Sequence, residues 1–170
     1  MQGFKEIKPE EMQKDVFTAI GKDWLLVAAQ KDGVTNAMTA SWGGMGVIWG
    51  SDVVYIFVRK SRYTKEFIDA SDTFSLSLLD PQKYRKVQSY YGTVSGRDED
   101  KNAVSGLTVV EDGGITFFEE SDTVVLCQKM ACFPMPKEGF IAEGVEERWY
   151  ADQDWHDMYV GKIEKVLIRE

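Results

Sequence analysis

Apolar residues in this chain occur in short runs separated by turn residues, a pattern typical of β-rich proteins. Residues 24–31 are predicted to form a buried strand, and Asp32-Gly33 is a strong hairpin turn that leads into a partner strand over 34–40. Residues 73–78 alternate large apolar and hydroxyl side chains, which predicts a strand with its hydroxyls on the face away from the core. The remaining strands are predicted over 53–58, 115–118, 123–133 and 158–168.

Helical spacing and capping residues predict three or four helices between these strands. Lys8-Pro9-Glu10-Glu11 opens the first, and its apolar residues recur at helical spacing as far as Gly21 (Met12, Val16, Phe17, Ile20). A second is expected over 63–70, with Phe67 and Ile68 facing inward and Thr64 exposed. Asp80-Pro81 caps a third over 82–91, and a short one is expected over 98–105. Gly43-Gly44-Met45-Gly46 is predicted to be a flexible stretch, and 137–155 a loop with a helical turn.

These elements indicate a mainly β protein with a few helices, an α+β fold occupying residues 1–170 as a single domain. About seven strands, mostly connected by hairpins, are best arranged as a closed or nearly closed antiparallel barrel, because closure removes exposed strand edges. An open sandwich is the alternative arrangement.

The amino-acid composition and net charge disfavour some classes of binding partner. The chain has 20 basic and 28 acidic residues, so its net charge of −8 disfavours nucleic acid and anionic membrane surfaces. No apolar run approaches the length of a membrane span, and the first eight residues lack the apolar core of a signal peptide, so a cytoplasmic location is expected. Cys127 and Cys132 lie in a strand-like stretch and are expected to be reduced, buried thiols rather than a metal site.

Two short segments near strand ends carry the candidate chemistry. Asn36 to Trp42 brings together an amide, two hydroxyls and a flat aromatic ring, and Arg59 to Thr64 adds two guanidiniums and two more hydroxyls. Hydroxyl and backbone N–H donors with Arg are groups that bind phosphate, and Thr64 lies at the start of a predicted helix, where free N–H groups favour anions. The pairing suits a ligand with a phosphate at one end and a heteroaromatic ring at the other.

The sequences of four segments resemble those of the flavin reductase-like, flavoredoxin-type proteins, which are FMN-binding split β-barrels. The segments are Asn-x-Met-Thr-x-Ser-Trp (36–42), Arg-x-x-Arg-Tyr-Thr (59–64), Ser-Gly-Arg-Asp-x-Asp-Lys (95–101) and His-x-Met-Tyr-Val-Gly-x-Ile (156–163). They occur in the same order as in that family and span the chain from about residue 20 to its end.

The resemblance implies a role for each segment. The first would run along the flavin ring and ribityl chain, with Asn36 beside it, and the second would bind the FMN phosphate through Arg59 and Arg62 as charge partners and Ser61 and Thr64 as hydroxyl donors. In the third, Lys101 could neutralise charge on a reduced ring. The implied cofactor contacts are Asn36, Met38, Thr39, Ala40, Ser41, Trp42, Arg59, Ser61, Arg62, Tyr63, Thr64, Ser95, Gly96 and Lys101.

Other readings of the motifs are weaker or remain open. Gly44-Met45-Gly46 has Trp49 where a dinucleotide fingerprint needs a small residue, and Gly92 to Arg97 lacks the Gly-Lys-Ser/Thr of a P-loop. His156 is the sole histidine; it is either a hydrogen-bonded strand residue or, with Trp155, part of a substrate face or subunit contact. No acid, base or nucleophile stands out as catalytic, and no metal site does.

The resemblance implies an FMN-dependent oxidoreductase that acts as a homodimer. It would be either a flavin reductase using NADH or NADPH, or a flavoredoxin-like electron carrier that works with a small-molecule redox partner. The alternatives are a non-catalytic FMN-binding or storage module and a flavoenzyme related to pyridoxamine phosphate oxidases.

Overall fold

The computed structural model describes residues 3–170; Met1 and Gln2, which the sequence assigns to the domain, lie outside the described residues. Its strands are β1 (Phe4–Ile7), β2 (Leu25–Lys31), β3 (Val34–Ala40), β4 (Gly43–Ile48), β5 (Ser51–Arg59), β6 (Thr73–Leu78), β7 (Val109–Asp112), β8 (Ile115–Phe118), β9 (Thr123–Pro134) and β10 (His156–Arg169). Its helices are α1 (Val16–Gly21), α2 (Tyr63–Ala70), α3 (Pro81–Thr93), α4 (Lys101–Ser105) and α5 (Val145–Trp149), with short 3-10 turns at Pro9–Glu11 and Lys137–Gly139.

One antiparallel sheet dominates the structure. Its strand order is β3-β2-β6-β9-β10-β5-β4, and β1 also pairs with β10. The long strand β10 has β9 along one edge and two strands along the other, with β5 beside its first half and β1 beside its second. This branching divides the sheet, and the end strands β3 and β4 are not hydrogen-bonded to each other. The predicted antiparallel split barrel is confirmed.

The gap in the barrel lies where the chain passes from one end of the sheet to the other. β3 ends at Ala40 and β4 begins at Gly43, so Ser41 and Trp42 alone connect the two unpaired edges. A tryptophan at this position stands beside an opening in the sheet rather than within a regular strand face. The topology therefore explains why the aromatic residue of the first candidate segment lies at a cavity.

The barrel interior is filled by apolar side chains of the large sheet and the helices that close its ends. This core includes Val27, Met38, Ile56, Phe74 and Tyr159. A second cluster packs α3 and Leu107, which follows α4, against the outer face of β2 and β3, and a third lies under the β7–β8 hairpin. Lys101 and Asn102 donate to the carbonyls of Ala37 and Thr35, which fixes the start of α4 to β3 beside the candidate residues.

The β7–β8 hairpin covers a face of β6 that the pattern predicted to be polar. Ser75 and Ser77 do point away from the barrel core, but both are fully buried. The Ser75 hydroxyl donates to the carbonyl of Thr116 at 2.7 Å, and the Ser77 hydroxyl accepts from the N–H of Phe118 at 3.3 Å. The hydroxyls thus bind the backbone of the β7–β8 hairpin. Strand β7 of this hairpin was not predicted.

The first predicted helix is broken into a turn and a short helix. Asp15 caps α1 by accepting from the N–H of Thr18 at 2.8 Å, which starts a new helix instead of continuing one from Pro9. Met12 and Val16 pack against the core as the spacing suggested, but Phe17 is 86% exposed. The apolar spacing identified the buried face but not the interruption at Asp15.

Other local predictions failed where pairing decided the structure. The glycine-rich stretch 43–46 is strand β4 rather than a flexible loop, because it pairs along β5. Strand β1 was not expected. Cys127 is buried as predicted, but Cys132 is exposed; both are free thiols. Within residues 3–170, no helix has the length and apolarity needed to cross a membrane.

Candidate functional site

Two adjoining cavities lie at the ends of β3 and β5 and the start of α2. The first, of about 280 Å³, is polar, and we call it the anion cavity; it is lined by Met38, Arg59, Ser61, Arg62, Tyr63, Thr64, Thr93, Val94, Ser95, Gly96, Lys101, Asp152 and Asp154. The second, of about 250 Å³, is called the ring cavity and is lined by Met38, Thr39, Ala40, Ser41, Trp42, Phe57, Arg59, Arg62, Trp149 and His156. Met38, Arg59 and Arg62 belong to both linings, so the cavities form one continuous groove.

The N-terminus of α2 opens into the anion cavity. Arg62 is the N-cap residue, and none of the side chains in residues 3–170 caps this helix. Its first N–H groups and the positive end of its dipole are therefore available to an anion. The helix is fixed to β3 by the Asn36 amide, which donates to the Thr64 hydroxyl at 2.8 Å. Thr64 is 1% exposed, so the prediction that it faces solvent was wrong.

Arg62 carries a positive charge that lacks a carboxylate partner. Its Nη1 donates to the carbonyl of Gly92 at 2.6 Å. No carboxylate of residues 3–170 lies within 4.0 Å of its guanidinium. Burial, with the neighbouring charge of Arg59, lowers the pKa of Arg62. A half-buried guanidinium at the junction of both cavities is a binding group for a ligand anion.

Arg59 and Ser61 are engaged by the chain itself. Arg59 Nη1 lies 3.2 Å from a carboxylate oxygen of Asp152, and its Nη2 donates to the carbonyl of Trp149 at 2.8 Å. Ser61 donates from its hydroxyl to Asp154 at 2.6 Å and from its N–H at 3.1 Å. Two of the groups predicted to bind phosphate thus bind carboxylates of the segment between α5 and β10.

The segment after α3 forms the far wall of the anion cavity. A Cβ atom on Gly96 would lie 2.2 Å from Asn36 Oδ1 and 3.1 Å from Tyr63 Cδ1, so only glycine allows this close approach. Arg97, which was not among the candidate residues, stacks over the Tyr63 ring at 4.7 Å and donates to the Ser61 carbonyl at 3.1 Å. The third candidate segment is brought against the second.

Lys101 is buried at the anion cavity and not at the ring cavity. Only 4% of it is exposed, and its Nζ donates to the carbonyl of Ala37 at 2.6 Å. Burial, with the nearby charge of Arg62, lowers the pKa of Lys101 to about 8. This position suits an interaction with the anionic group of a ligand better than the predicted interaction with the ring.

The ring cavity is built around Trp42. The indole meets Trp149 edge to face, with centroids 5.1 Å apart, and lies 5.0 Å from the His156 ring. Met38, Ala40 and Ser41 lie along the same cavity, as the resemblance implied. The Thr39 hydroxyl donates to the carbonyl of Gln88 on α3, which orients it away from a ligand.

His156 lines the ring cavity and belongs, with Trp155, to an aromatic cluster around Tyr150. His156 pairs with Arg59 across the β5–β10 ladder, and its Nδ1 is 2.9 Å from the hydroxyl of Tyr150. Burial and the charge of Arg59 lower the pKa of His156 to about 4, so the ring is neutral at pH 7. Trp155 stacks on Tyr150 and Phe140 and does not line the groove.

A third and larger cavity adjoins Trp42 on its other side. Its volume is about 740 Å³, and its lining is mostly apolar: Val16, Phe17, Ile20, Gly21, Ser41, Trp42, Gly43, Gly44, Met45, Phe57, Met135, Phe140, Val145, Trp149 and Tyr150. Phe17 is 86% exposed and Trp149 42% exposed. This surface can receive an apolar molecule or a protein partner.

Sequence reasoning missed the acidic residues of the groove. Asp152 and Asp154 lie in a region predicted only as loop, and Phe57 and Arg97 were not singled out. The alternation of β5 could have indicated that Phe57 shares a face with Arg59. Nothing in the local sequence indicates that Asp152 and Asp154 meet Arg59 and Ser61, because the contact joins residues more than 90 positions apart.

Comparison with known proteins identifies the fold and the family. Residues 18–170 match the sequence profile described as the flavin reductase like domain. Among curated proteins, none matches this chain.

Solved structures share the fold at low sequence identity. Flavoredoxin from Methanosarcina acetivorans superposes with a TM-score of 0.68 at 21% identity, covering 85% of this chain and 67% of that one. Flavoredoxin of Desulfovibrio vulgaris (Miyazaki F) gives 0.69 at 22%, covering 96% and 78%. Nitrilotriacetate monooxygenase component B from Bacillus cereus gives 0.69 at 16%, covering 96% and 81%.

Proposed function

The chain belongs to the flavin reductase-like family, and on that premise we propose that it is an FMN-binding oxidoreductase that accepts electrons from NADH or NADPH. The proposal concerns the ligand, the donor and the roles of individual residues. What supports it is the groove formed by the anion and ring cavities, which pairs a cationic pocket at a helix N-terminus with an aromatic pocket.

One observation carries the proposal: within residues 3–170 the guanidinium of Arg62 has no carboxylate partner, and Arg62 is the N-cap of a helix that no side chain of those residues caps. Buried charges are normally paired, so a half-buried guanidinium beside the first N–H groups of a helix supports an anion-binding role. The neighbouring aromatic pocket suits a flat ring that belongs to the same ligand as the anion. FMN has both parts.

The protein's own residues would position FMN rather than carry out the chemistry. When bound, FMN supplies hydride and electron transfer. Arg62, Lys101 and the N–H groups of α2 would bind its phosphate, and Met38, Ala40 and Ser41 would lie along the flavin. Trp42 would cover one side of the ring and exclude water, while neutral His156 could accept or donate a hydrogen bond without adding charge.

We also propose that the protein is a homodimer and that no nucleic acid or membrane takes part. The exposed apolar residues around the 740 Å³ cavity support association, because a contiguous apolar surface is seldom left open to water. Sedimentation should give about twice the monomer mass of 19.3 kDa. The cytoplasmic location expected from the sequence stays a prediction.

The test combines binding and turnover. Purified protein should bind FMN with quenching of flavin fluorescence and should bind riboflavin more weakly, because riboflavin lacks the phosphate. It should then oxidise NADH or NADPH at a rate that depends on added flavin. Tight retention of FMN with slow turnover would instead indicate a flavoredoxin-like carrier, and binding without reduction by either nucleotide would indicate a non-catalytic module.

A further inference from the structure

The segment from Trp149 to Trp155, which we call the acidic strap, contributes Asp152 and Asp154 to the lining of the anion cavity. It connects α5 to β10 and is fixed at its two ends to the last residue of β5 and to the residue that follows it. The Trp149 carbonyl accepts from Arg59 Nη2 at 2.8 Å, and the Trp155 carbonyl accepts from the N–H of Lys60 at 3.0 Å. The strap therefore lies over the residues that precede α2.

Inside the strap, Asp154 occupies a position that suits an anion. Its two carboxylate oxygens accept from the Ser61 hydroxyl at 2.6 Å and from the Ser61 N–H at 3.1 Å. One backbone N–H and one hydroxyl are the donors expected for a phosphate oxygen. Only 20% of the Asp154 side chain is exposed, and it lines the anion cavity, whereas its partner Ser61 is exposed.

Asp152 holds the strap closed from the other side. Its carboxylate lies 3.2 Å from Arg59 Nη1 and also accepts from the N–H of Asp154 at 3.2 Å. Gln153, between the two acids, has a φ of 57°, which is unfavourable for a residue with a side chain. The closed strap thus combines ion pairing with a locally strained backbone.

We propose that Asp154 is an internal competitor for the anion cavity, so that a phosphate must displace its carboxylate from Ser61 before it can bind there. The proposal rests on the proposed function, because the displacing ligand is the phosphate of FMN. Two anions cannot share the Ser61 donors, since their charges repel at hydrogen-bonding distance.

This arrangement has a consequence for selectivity. A ligand must replace the hydrogen bonds that Asp154 makes before its own contacts contribute to affinity. An anion that makes few contacts is therefore bound weakly. A dianion attached to a flat ring makes contacts in both cavities and can offset this cost. Asp154 therefore lowers the affinity for anions, so that an anion without contacts in the ring cavity is bound only weakly. Arg62, which no carboxylate of residues 3–170 approaches within 4.0 Å, would make the first contact with the phosphate.

The experiment compares FMN and riboflavin binding in wild type, Asp154→Ala and Asp154→Asn. We expect the dissociation constant of FMN to fall about tenfold in Asp154→Ala, with a smaller fall in Asp154→Asn, while riboflavin binding stays within about twofold. Asp52→Asn is the matched control: this exposed acid lies at the opposite end of β5 from Arg59, and its variant should behave as wild type. Unchanged or weaker FMN binding by Asp154→Ala would overturn the proposal.

A second measurement uses inorganic phosphate and does not depend on flavin. If phosphate displaces Asp154, hydrogen exchange over residues 150–155 should speed up in wild type as phosphate is added, with sodium chloride of equal ionic strength as reference. No change, or slower exchange, would count against displacement. Absence of flavin binding in every variant would refute the proposed function, whereas equal FMN affinity in all of them would refute only the competition.

Discussion

At the scale of single residues, the two arginines predicted to act together have different surroundings. Arg59 is bound by Asp152 and by two backbone carbonyls, whereas Arg62 donates to one carbonyl and faces the groove. Their spacing in sequence indicated a cationic pair but could not indicate which guanidinium was free. The difference predicts unequal effects on ligand binding.

Arg62→Ala should weaken FMN binding more than Arg59→Ala. A charge-assisted hydrogen bond contributes about 1.5–3 kcal/mol, so the loss at Arg62 should raise the dissociation constant by about 10- to 100-fold. Fluorescence titration with FMN and riboflavin measures both effects. Arg85→Ala, which removes a guanidinium packed over Trp24, controls for total charge. Equal losses at Arg59 and Arg62 would contradict the assignment.

Gly96→Ala should destabilise the protein and distort the groove. The added Cβ would meet Asn36 Oδ1 at 2.2 Å, so the 92–96 segment must shift away from β3 and Tyr63. Overpacking of this kind costs about 1–3 kcal/mol, which urea unfolding can measure. Gly92→Ala is the matched control, since its Cβ would meet Thr39 at an ordinary 3.5 Å and should be tolerated. Equal stability of the two variants would show that the segment adapts.

At the scale of elements, short helices bring distant charges to the groove. Asp100 caps α4 by accepting from the N–H of Asn102 at 3.0 Å, and this cap sets the direction in which Lys101 enters the space behind β3. The local pattern predicted a helix over 98–105. It did not predict that Lys101 would be buried, because this depends on how α3 and α4 pack on the sheet.

FMN binding should weaken as the pH rises above about 8. The ligand-free pKa of Lys101 is about 8, and a bound phosphate raises it by favouring the charged amine. Affinity is therefore full below that pH and falls above it, as the amine loses its proton. Titrations between pH 7 and 9 should show the decline for FMN and not for riboflavin.

Lys101→Arg supplies the control for this pH effect. A guanidinium keeps its charge throughout the range, so the variant's FMN affinity should not vary with pH between 7 and 9. A wild-type profile as flat as that of the variant would mean that Lys101 does not contribute to anion binding.

At the scale of the whole molecule, the barrel brings β5, β10 and the segment before β10 together around one histidine. His156 is neutral because burial and Arg59 both disfavour its protonation. Its folded pKa of about 4 lies below the ordinary value of about 6.5 for an unfolded chain. The contribution of neutral His156 to the unfolding free energy is fully present above pH 6.5 and is lost as the pH falls towards 4.

Unfolding free energy should therefore fall more steeply with acid in wild type than in His156→Gln. One proton taken up on unfolding gives a slope of at most about 1.4 kcal/mol per pH unit in the window from 6.5 to 4. Urea unfolding at several pH values measures the difference in slope, which is independent of any constant loss of stability from the substitution. Parallel curves would show that His156 is protonated in the folded state.

The family, the split barrel and most of its strands could be read from the chain. Local sequence determines the features on which that prediction depends. They are the short apolar runs, the Asp-Gly and Asp-Pro turn and cap signals, and the four motif segments. Strands β1, β4 and β7 were missed because their pairing partners, and not their own composition, make them strands. The break before α1 was missed because a cap at Asp15 outweighed a continuous apolar spacing.

Sequence alone determined which kinds of groups the groove would contain: hydroxyls, guanidiniums, an amide and an aromatic ring. Only the tertiary structure decided which of them face a ligand. It buried Thr64 and Lys101, turned Thr39 towards α3, and placed Asp152 and Asp154 on Arg59 and Ser61. The physical reason is that charge pairing and burial depend on distances between residues far apart in the chain, which the closing of the barrel sets.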